Sequence, residues 1–190
     1  ICYIGEGIFK MREIAKEGVV SMSIQGINSY HYVAEEVKQM MSSKTAIYKS
    51  QKLADKELRF CIVFDSDMYK KPEVCQAACK FSQYLKKNFG EKRSISLLIW
   101  DPELGKGFDD FKYECVNRGI SYADHCLRIN SEDFIAMTRK AFSSSDEEYL
   151  KNHPEEKKAG IKIRQYPEWR SKLYNHLYEE QIKKVLYPTY

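Results

Sequence analysis

Arg59-Phe60-Cys61-Ile62-Val63-Phe64-Asp65-Ser66-Asp67 is an apolar, partly β-branched run that stops abruptly on two aspartates flanking one small residue. A run that short reads as a buried strand, and open α/β sheets place their ligands at the carboxyl ends of such strands. The carboxylates of Asp65 and Asp67 therefore make a candidate site for a hard cation. A similar event opens the chain, where Ile1-Cys2-Tyr3-Ile4 runs into Gly5-Glu6-Gly7, and glycines on both sides free the backbone for a sharp turn. The expectation is that Glu6 and the aspartate pair meet at one sheet edge.

Outward from these two strands the pattern alternates. Ile8, Met11, Arg12 and Ala15 fall at helical spacing up to Gly18, and Val19 to Ile24 reads as a strand, which makes a β-α-β opening. Ser29 to Met41 fits a helix, and the polar segment Ser42 to Asp55 is expected to cross the surface. Pro72 to Asn88 is the clearest helix, with Val74, Ala77, Ala78, Phe81, Tyr84 and Leu85 on one stripe and Gly90 at its end. Ser94 to Trp100 is a fourth strand, followed by the loop Asp101 to Asp110. Strands alternating with helices of ten or more residues imply an α/β fold: about four mostly parallel strands with helices on both faces.

Beyond Asp110 the signal weakens. It predicts a short helix from Phe111 to Asn117, a short apolar piece at Cys126 to Ile129, and a helix from Ser131 to Phe142. Ser143-Ser144-Ser145-Asp146 reads as a break, so the expected organisation is an α/β domain over 1–142 and a helical extension over 143–190. In that extension Tyr166, Trp169, Leu173, Leu177, Tyr178, Ile182, Val185 and Leu186 make one apolar face, with Arg164, Arg170, Lys172, Lys183 and Lys184 on the others. Two readings stand for it: docking on its own sheet or a neighbouring domain, or stacking its aromatics on single-stranded nucleic acid.

Composition narrows the class. With 43% hydrophobic and 31% charged residues and no apolar stretch near the ~18 residues of a membrane span, the 190-residue chain reads as globular, and the membrane is excluded. The net charge of +4, from 31 basic and 27 acidic side chains, is compatible with a nucleic-acid partner without demanding one. The six cysteines lack any CxxC pair, so they read as reduced core residues of a cytoplasmic protein, and Cys75 and Cys79, four apart on a helix, as packing rather than a metal pair. His31, His125, His153 and His176 are dispersed without zinc-ligand spacing. A start at Ile1, directly in a strand, suggests a piece of a longer polypeptide.

The order of motifs, Gly-Glu6-Gly with Lys10 after it, then Asp65-x-Asp67, then Lys106-Gly107-x-Asp109-Asp110, resembles a toprim domain, the catalytic fold of DnaG-type primases, topoisomerases and related nucleases. It looks most like the toprim-like domain of unknown function found in primase and helicase polypeptides of phages, plasmids and other mobile elements. The resemblance covers roughly Ile1 to Phe111. It implies that Glu6 acts as general acid or base and helps hold metal, and that Asp65 and Asp67 are the metal-binding pair. The cofactor it implies is Mg²⁺, with Mn²⁺ as a substitute. Physical chemistry agrees, because Mg²⁺ takes oxygen ligands, keeps several waters and bridges one or two carboxylates to phosphate oxygens.

Several residues keep a second reading. Asp67 sits where it could cap the helix that starts at Pro72. Asp109 and Asp110 are either metal ligands or the N-terminal turn of the next helix. Lys10, Lys71 and Lys106 are phosphate contacts or ordinary solvated lysines, and Lys70 shares that ambiguity. The sequence departs from characterised toprim enzymes in lacking a zinc module, a Walker A loop and a second Asp-x-Asp, which Asp109-Asp110 replaces; no one of its 14 tyrosines stands out as a nucleophile. The leading expectation is a Mg²⁺-dependent domain of a mobile-element replication protein, acting on DNA, single-stranded or primed, or on nucleotides, beside flanking domains such as a helicase. The alternative keeps the fold as a catalytically inactive module that binds nucleic acid or a partner. A haloacid-dehalogenase-like phosphatase also uses Asp-x-Asp, but Tyr69 stands where its threonine belongs.

Overall fold

A computed structural model describes residues 1–42, 58–91, 93–158 and 160–188. The surface crossing expected between Ser42 and Asp55 lies, from residue 43 on, outside the described residues. Among those described, β1 (Cys2–Glu6), β2 (Val20–Ile24), β3 (Phe60–Val63), β4 (Ile95–Trp100) and β5 (Cys126–Asn130) form one sheet in the order β2-β1-β3-β4-β5. The first four are parallel, with Gly5 beside Val63 and Ile62 beside Leu97. β5 runs antiparallel along β4, Trp100 opposite Cys126.

The central strand β3 reads as a continuous apolar run because both faces are covered. On one face Ile4, Phe60, Ile62, Phe64 and Ile99 pack against α2 (Val33–Ser42) and α3 (Pro72–Phe89), whose Cys75, Ala78, Phe81 and Leu85 are buried. On the other, Cys61, Val63 and Trp100 meet Met11 and Ile14 of α1 (Ile8–Ala15) and Phe108, Phe111 and Cys115 of α4 (Phe108–Asn117). Fully buried side chains such as Phe60, Phe64 and Phe81 each contribute about 1.5–3 kcal/mol of hydrophobic stabilisation.

Three expectations change. The sheet has a fifth strand, and its sequence was quiet because β5 is an edge strand in which Ile129 alone is buried. Helix α4 begins at Phe108 rather than Phe111, since the Asp110 carboxylate accepts the Gly107 N–H at 3.3 Å and closes a first turn three residues earlier. The break at Ser143 to Asp146 is absent: α5 (Ser131–Asn152) runs straight through it, so the boundary drawn after Phe142 falls inside a helix. Its serines bond within the helix, Ser145 Oγ to the Ala141 carbonyl at 2.7 Å and Ser143 Oγ to Glu147 at 3.1 Å.

The C-terminal extension docks on the sheet domain. α6 (Pro167–Tyr174) leads through a widened π turn, Asn175–Ile182, into α7 (Lys183–Leu186). Trp169, Leu173, Leu177, Tyr178 and Ile182 join the same apolar cluster as Phe60 and Phe81. Asp146 anchors the entry to α6: its carboxylate accepts the Trp169 indole N–H at 2.8 Å and two Arg164 N–H groups at 3.2 and 2.6 Å. The tail's last described turn reaches the loop after β4, where the Tyr187 hydroxyl donates to Asp101 at 2.9 Å. Among the described residues no helix is long and apolar enough to cross a membrane.

All six cysteines are free. Burial pushes the Cys2 and Cys126 thiols up to about 11 and Cys61 to about 12, which keeps them as inert thiols at neutral pH. Cys75 packs into the core with its Sγ 2.9 Å from the Met68 carbonyl.

Candidate functional site

Where β3 ends the alternation of the strand persists for two residues. Phe64 still faces the α3 side and Asp65 emerges on the α1 and α4 side, with extended backbone angles, before a 3-10 turn over Ser66–Lys70. Ser66, the small residue between the aspartates, is the hinge pin of this turn. Its Oγ donates to the Gly105 carbonyl at 2.8 Å and its N–H to the Lys106 carbonyl at 2.9 Å. Trp100 Nε1 also donates to Gly105, at 2.9 Å, so the loop after β4 is tied from both sides. Gly105 has φ 151°, and a Cβ there would collide with the Phe111 backbone, so only glycine passes the chain so close to α4.

This stitching sets Lys106 over the aspartate pair. Its Nζ lies 3.3 Å from Asp67 Oδ2 and 3.6 Å from Asp65 Oδ2. The hydrogen bond to Asp67, then the charges of Asp67 and Asp65, raise its pKa, and the side chain is 59% exposed. Lys10, from the first turn of α1, pairs with the other oxygen of Asp65, and Lys71 pairs with Asp67 at 2.7 Å. Three ammonium groups thus surround two carboxylates. Lys10, Lys71 and Lys106 each pair with one or both of the aspartates.

Beside this cluster lies a cleft of about 250 Å³ lined by Gly7, Phe9, Lys10, Asp65, Lys106, Gly107, Asp109 and Asp110, with Asp67 and Lys71 just outside its lining. Gly7, at φ 91°, turns the chain from β1 into α1. The Lys10 stem and Asp109 Oδ1 close on the bare Cα of Gly107. For Asp110 the helix-capping reading describes its contact with Gly107. Asp67, by contrast, makes no cap of α3; its oxygen is taken by lysines.

Glu6, like Asp67, does not line this cleft. Cys2 and Ile4 face the α3 side, so the pleat of β1 carries Glu6 to that side too, whereas Val63 and Asp65 take the opposite one. Among the described residues no group of three or more His, Cys, Asp or Glu side chains is disposed to hold a metal ion. The donor set at Asp65 and Asp67 nonetheless fits Mg²⁺ in kind: two hard carboxylates at one strand end, both within 3.6 Å of a single exposed cationic atom. Mg²⁺ is commonly bound by one or two carboxylates plus water and substrate phosphate.

Sequence reasoning missed Phe9 and Ser66. Phe9 is 72% exposed on the cleft wall, an apolar residue off the buried stripe of α1, and that mismatch was its only signal. Ser66 gave none, because its partners lie 39 and 40 positions away.

Residues 1–118 match a family model described as a domain of unknown function (DUF3854). No curated protein and no solved structure matches the chain.

Proposed function

The chain belongs to the DUF3854 family, and from the cleft its matched residues enclose we propose a Mg²⁺-dependent, toprim-type domain of a mobile-element DNA replication protein, acting in nucleotidyl transfer or phosphodiester chemistry. The observation that carries this reading is the pair Asp65 and Asp67 at the carboxyl end of β3, interleaved with Lys10, Lys71 and Lys106. Carboxylates with lysines at one point match a phosphate bound together with a divalent cation: the carboxylates hold the metal while the ammonium groups turn to phosphate oxygens. Bound there, Mg²⁺ would neutralise charge on the phosphate and on the departing oxygen.

Asp65 and Asp67 would hold the ion. Lys106, exposed and on a flexible stem, yields its place between them and meets the phosphate instead. Lys10 stays against Asp65 and fixes its orientation. Phe9 offers a flat apolar wall to a nucleobase. Glu6, carried by the pleat of β1 to the other face of the sheet, has no part in this arrangement.

One observation favours the architectural alternative: the carboxylate oxygens are already neutralised by lysines, so the site could bind phosphate without a metal. Calorimetric titration with Mn²⁺ and Mg²⁺ separates the two. The expected result is one ion per chain, lost in the Asp65→Asn/Asp67→Asn variant, together with metal-dependent cleavage or extension of single-stranded or primed DNA by the wild-type chain. Identical heats from wild type and double variant, with DNA binding indifferent to chelator, would overturn the catalytic reading in favour of the architectural one.

A further inference from the structure

The last described turn of the extension is clipped to the loop that carries Lys106. The Tyr187 hydroxyl donates to Asp101 Oδ2 at 2.9 Å, while its oxygen lies 2.8 Å from His125 Nδ1. A hydroxyl has one proton, and Tyr187 gives it to Asp101, so His125 Nδ1 is the donor on the other side. Burial, then the hydrogen bond and charge of Asp101, push the Tyr187 pKa up, and the phenol keeps the proton this arrangement needs. Tyr187 thereby bridges the end of β4 and the 3-10 turn, Tyr122–Asp124, that leads into β5.

Asp101 is where the path of the loop is decided. Its other carboxylate oxygen accepts the Glu103 N–H at 3.0 Å and its carbonyl accepts the Leu104 N–H at 3.1 Å, which winds Pro102–Leu104 into a 3-10 turn. That turn delivers the Gly105 carbonyl to Trp100 Nε1 and Ser66 Oγ, and the Lys106 carbonyl to the Ser66 N–H. From Tyr187 to Lys106 every link is thus a hydrogen bond or a short run of chain. The extension does not need the clip for its own docking, since Trp169, Leu173, Leu177, Tyr178 and Ile182 are buried in the core. The hydroxyl therefore fixes the loop rather than the extension.

We infer that Tyr187 is a positioning residue for Lys106: by holding Asp101 it fixes the loop after β4, and so the place from which Lys106 reaches the aspartates or a phosphate. That Lys106 meets phosphate rests on the proposed function; that Tyr187 holds its loop does not. A preset ammonium group loses less freedom when an anion arrives, so the clip strengthens phosphate binding without touching the phosphate. The aspartate pair is anchored elsewhere. It belongs to the turn Ser66–Lys70, whose Tyr69 stacks on Tyr178 and donates to the Trp100 carbonyl at 3.1 Å, and whose Lys70 rests 4.6 Å from the centre of the Tyr174 ring. Loss of the clip therefore separates the two halves of the site, weakening the hold on phosphate and sparing the hold on metal. Tyr187 and His125 lie beyond residues 1–118, so the clip is supplied to the family domain by the chain that follows it.

The test is Tyr187→Phe in the full chain, which keeps the ring and removes the hydroxyl alone. Calorimetric titration with pyrophosphate in metal-free buffer is expected to show affinity about fivefold weaker, the worth of one hydrogen bond, while affinity for Mn²⁺ changes by less than about twofold. Amide hydrogen exchange at Leu104 and Ser66, whose N–H groups close the turn and tie the loop, should quicken by a similar factor. Asp101→Ala, which removes both side-chain contacts, should exceed Tyr187→Phe in pyrophosphate loss and in exchange. Asp146→Ala, which loosens the extension at its other end, should leave pyrophosphate affinity and these two amides as in wild type at temperatures well below melting. An equal loss in Asp146→Ala would mean general loosening and overturn the assignment. Unchanged exchange in Tyr187→Phe, or parallel losses of Mn²⁺ and pyrophosphate affinity, would overturn it as well. Should the wild-type chain bind neither pyrophosphate nor Mn²⁺, it is the cleft reading that fails; faster exchange in Tyr187→Phe then still upholds the hold on the loop, and unchanged exchange still overturns it.

Discussion

Lys106 sits between Asp65 and Asp67 as the most exchangeable of the three cations at the cleft, because it is exposed where Lys10 is largely covered. It remains protonated across the neutral range, its pKa raised by the two aspartates. Lys106→Gln should therefore raise Mn²⁺ affinity by roughly threefold, since one exposed ion-pair partner weighs up to about 1 kcal/mol, while weakening competition by pyrophosphate; paired calorimetric titrations read both. A fall in metal affinity would show that Lys106 does not occupy the ion's place. At this scale the aspartate pair was legible, because a strand end with two carboxylates is a local pattern. The fate of Glu6 was not. Which face a strand-end residue takes follows from pleat and register with β3, and a shift of one residue reverses it.

The helices show why a polar stretch was misread. Ser143-Ser144-Ser145-Asp146 has loop composition, yet in α5 the serines bond within the helix and Asp146 projects toward the extension. Tertiary partners outweighed local propensity, and those partners, Arg164 and Trp169, lie 18 and 23 positions on. Asp146→Ala should cost about 1–3 kcal/mol, chiefly by leaving the fully buried Trp169 indole N–H without an acceptor, and chemical denaturation measures it. A pH effect belongs to the same layer. Burial, the largest single influence on His176, drives its pKa down, but hydrogen bonds and charges from Glu180 and Glu148 together outweigh it and leave the folded pKa above its ordinary 6.5. Lys172, which shares Glu148, stays charged throughout. The contribution of His176 is thus complete below about pH 6.5 and fades as pH rises through the higher folded value. Melting temperatures of wild type and His176→Gln should converge above that window and diverge below it. A constant gap would refute the linkage.

Across the whole molecule, four parallel strands and the helices between them could be read from alternation alone, while the antiparallel edge and the docking of the extension depend on contacts distant in sequence. The extension is part of the core: Tyr178 stacks on Tyr69 of the site turn at 5.2 Å, and Trp169 meets Phe142 edge-on at 5.5 Å. A chain cut after Phe142 should consequently lose cooperative melting and expose apolar surface to a dye such as ANS; a sharp native-like transition from residues 1–142 would contradict this. The two tryptophans are divided between these regions. Trp100 donates its indole N–H to the Gly105 carbonyl beneath Lys106, and Trp169 donates to Asp146 under the extension. Each indole is buried against a different part of the fold, so replacing one with phenylalanine isolates the emission of the other. The chain carries separate optical reporters for the loop after β4 and for the docking of its C-terminal layer, with no label added.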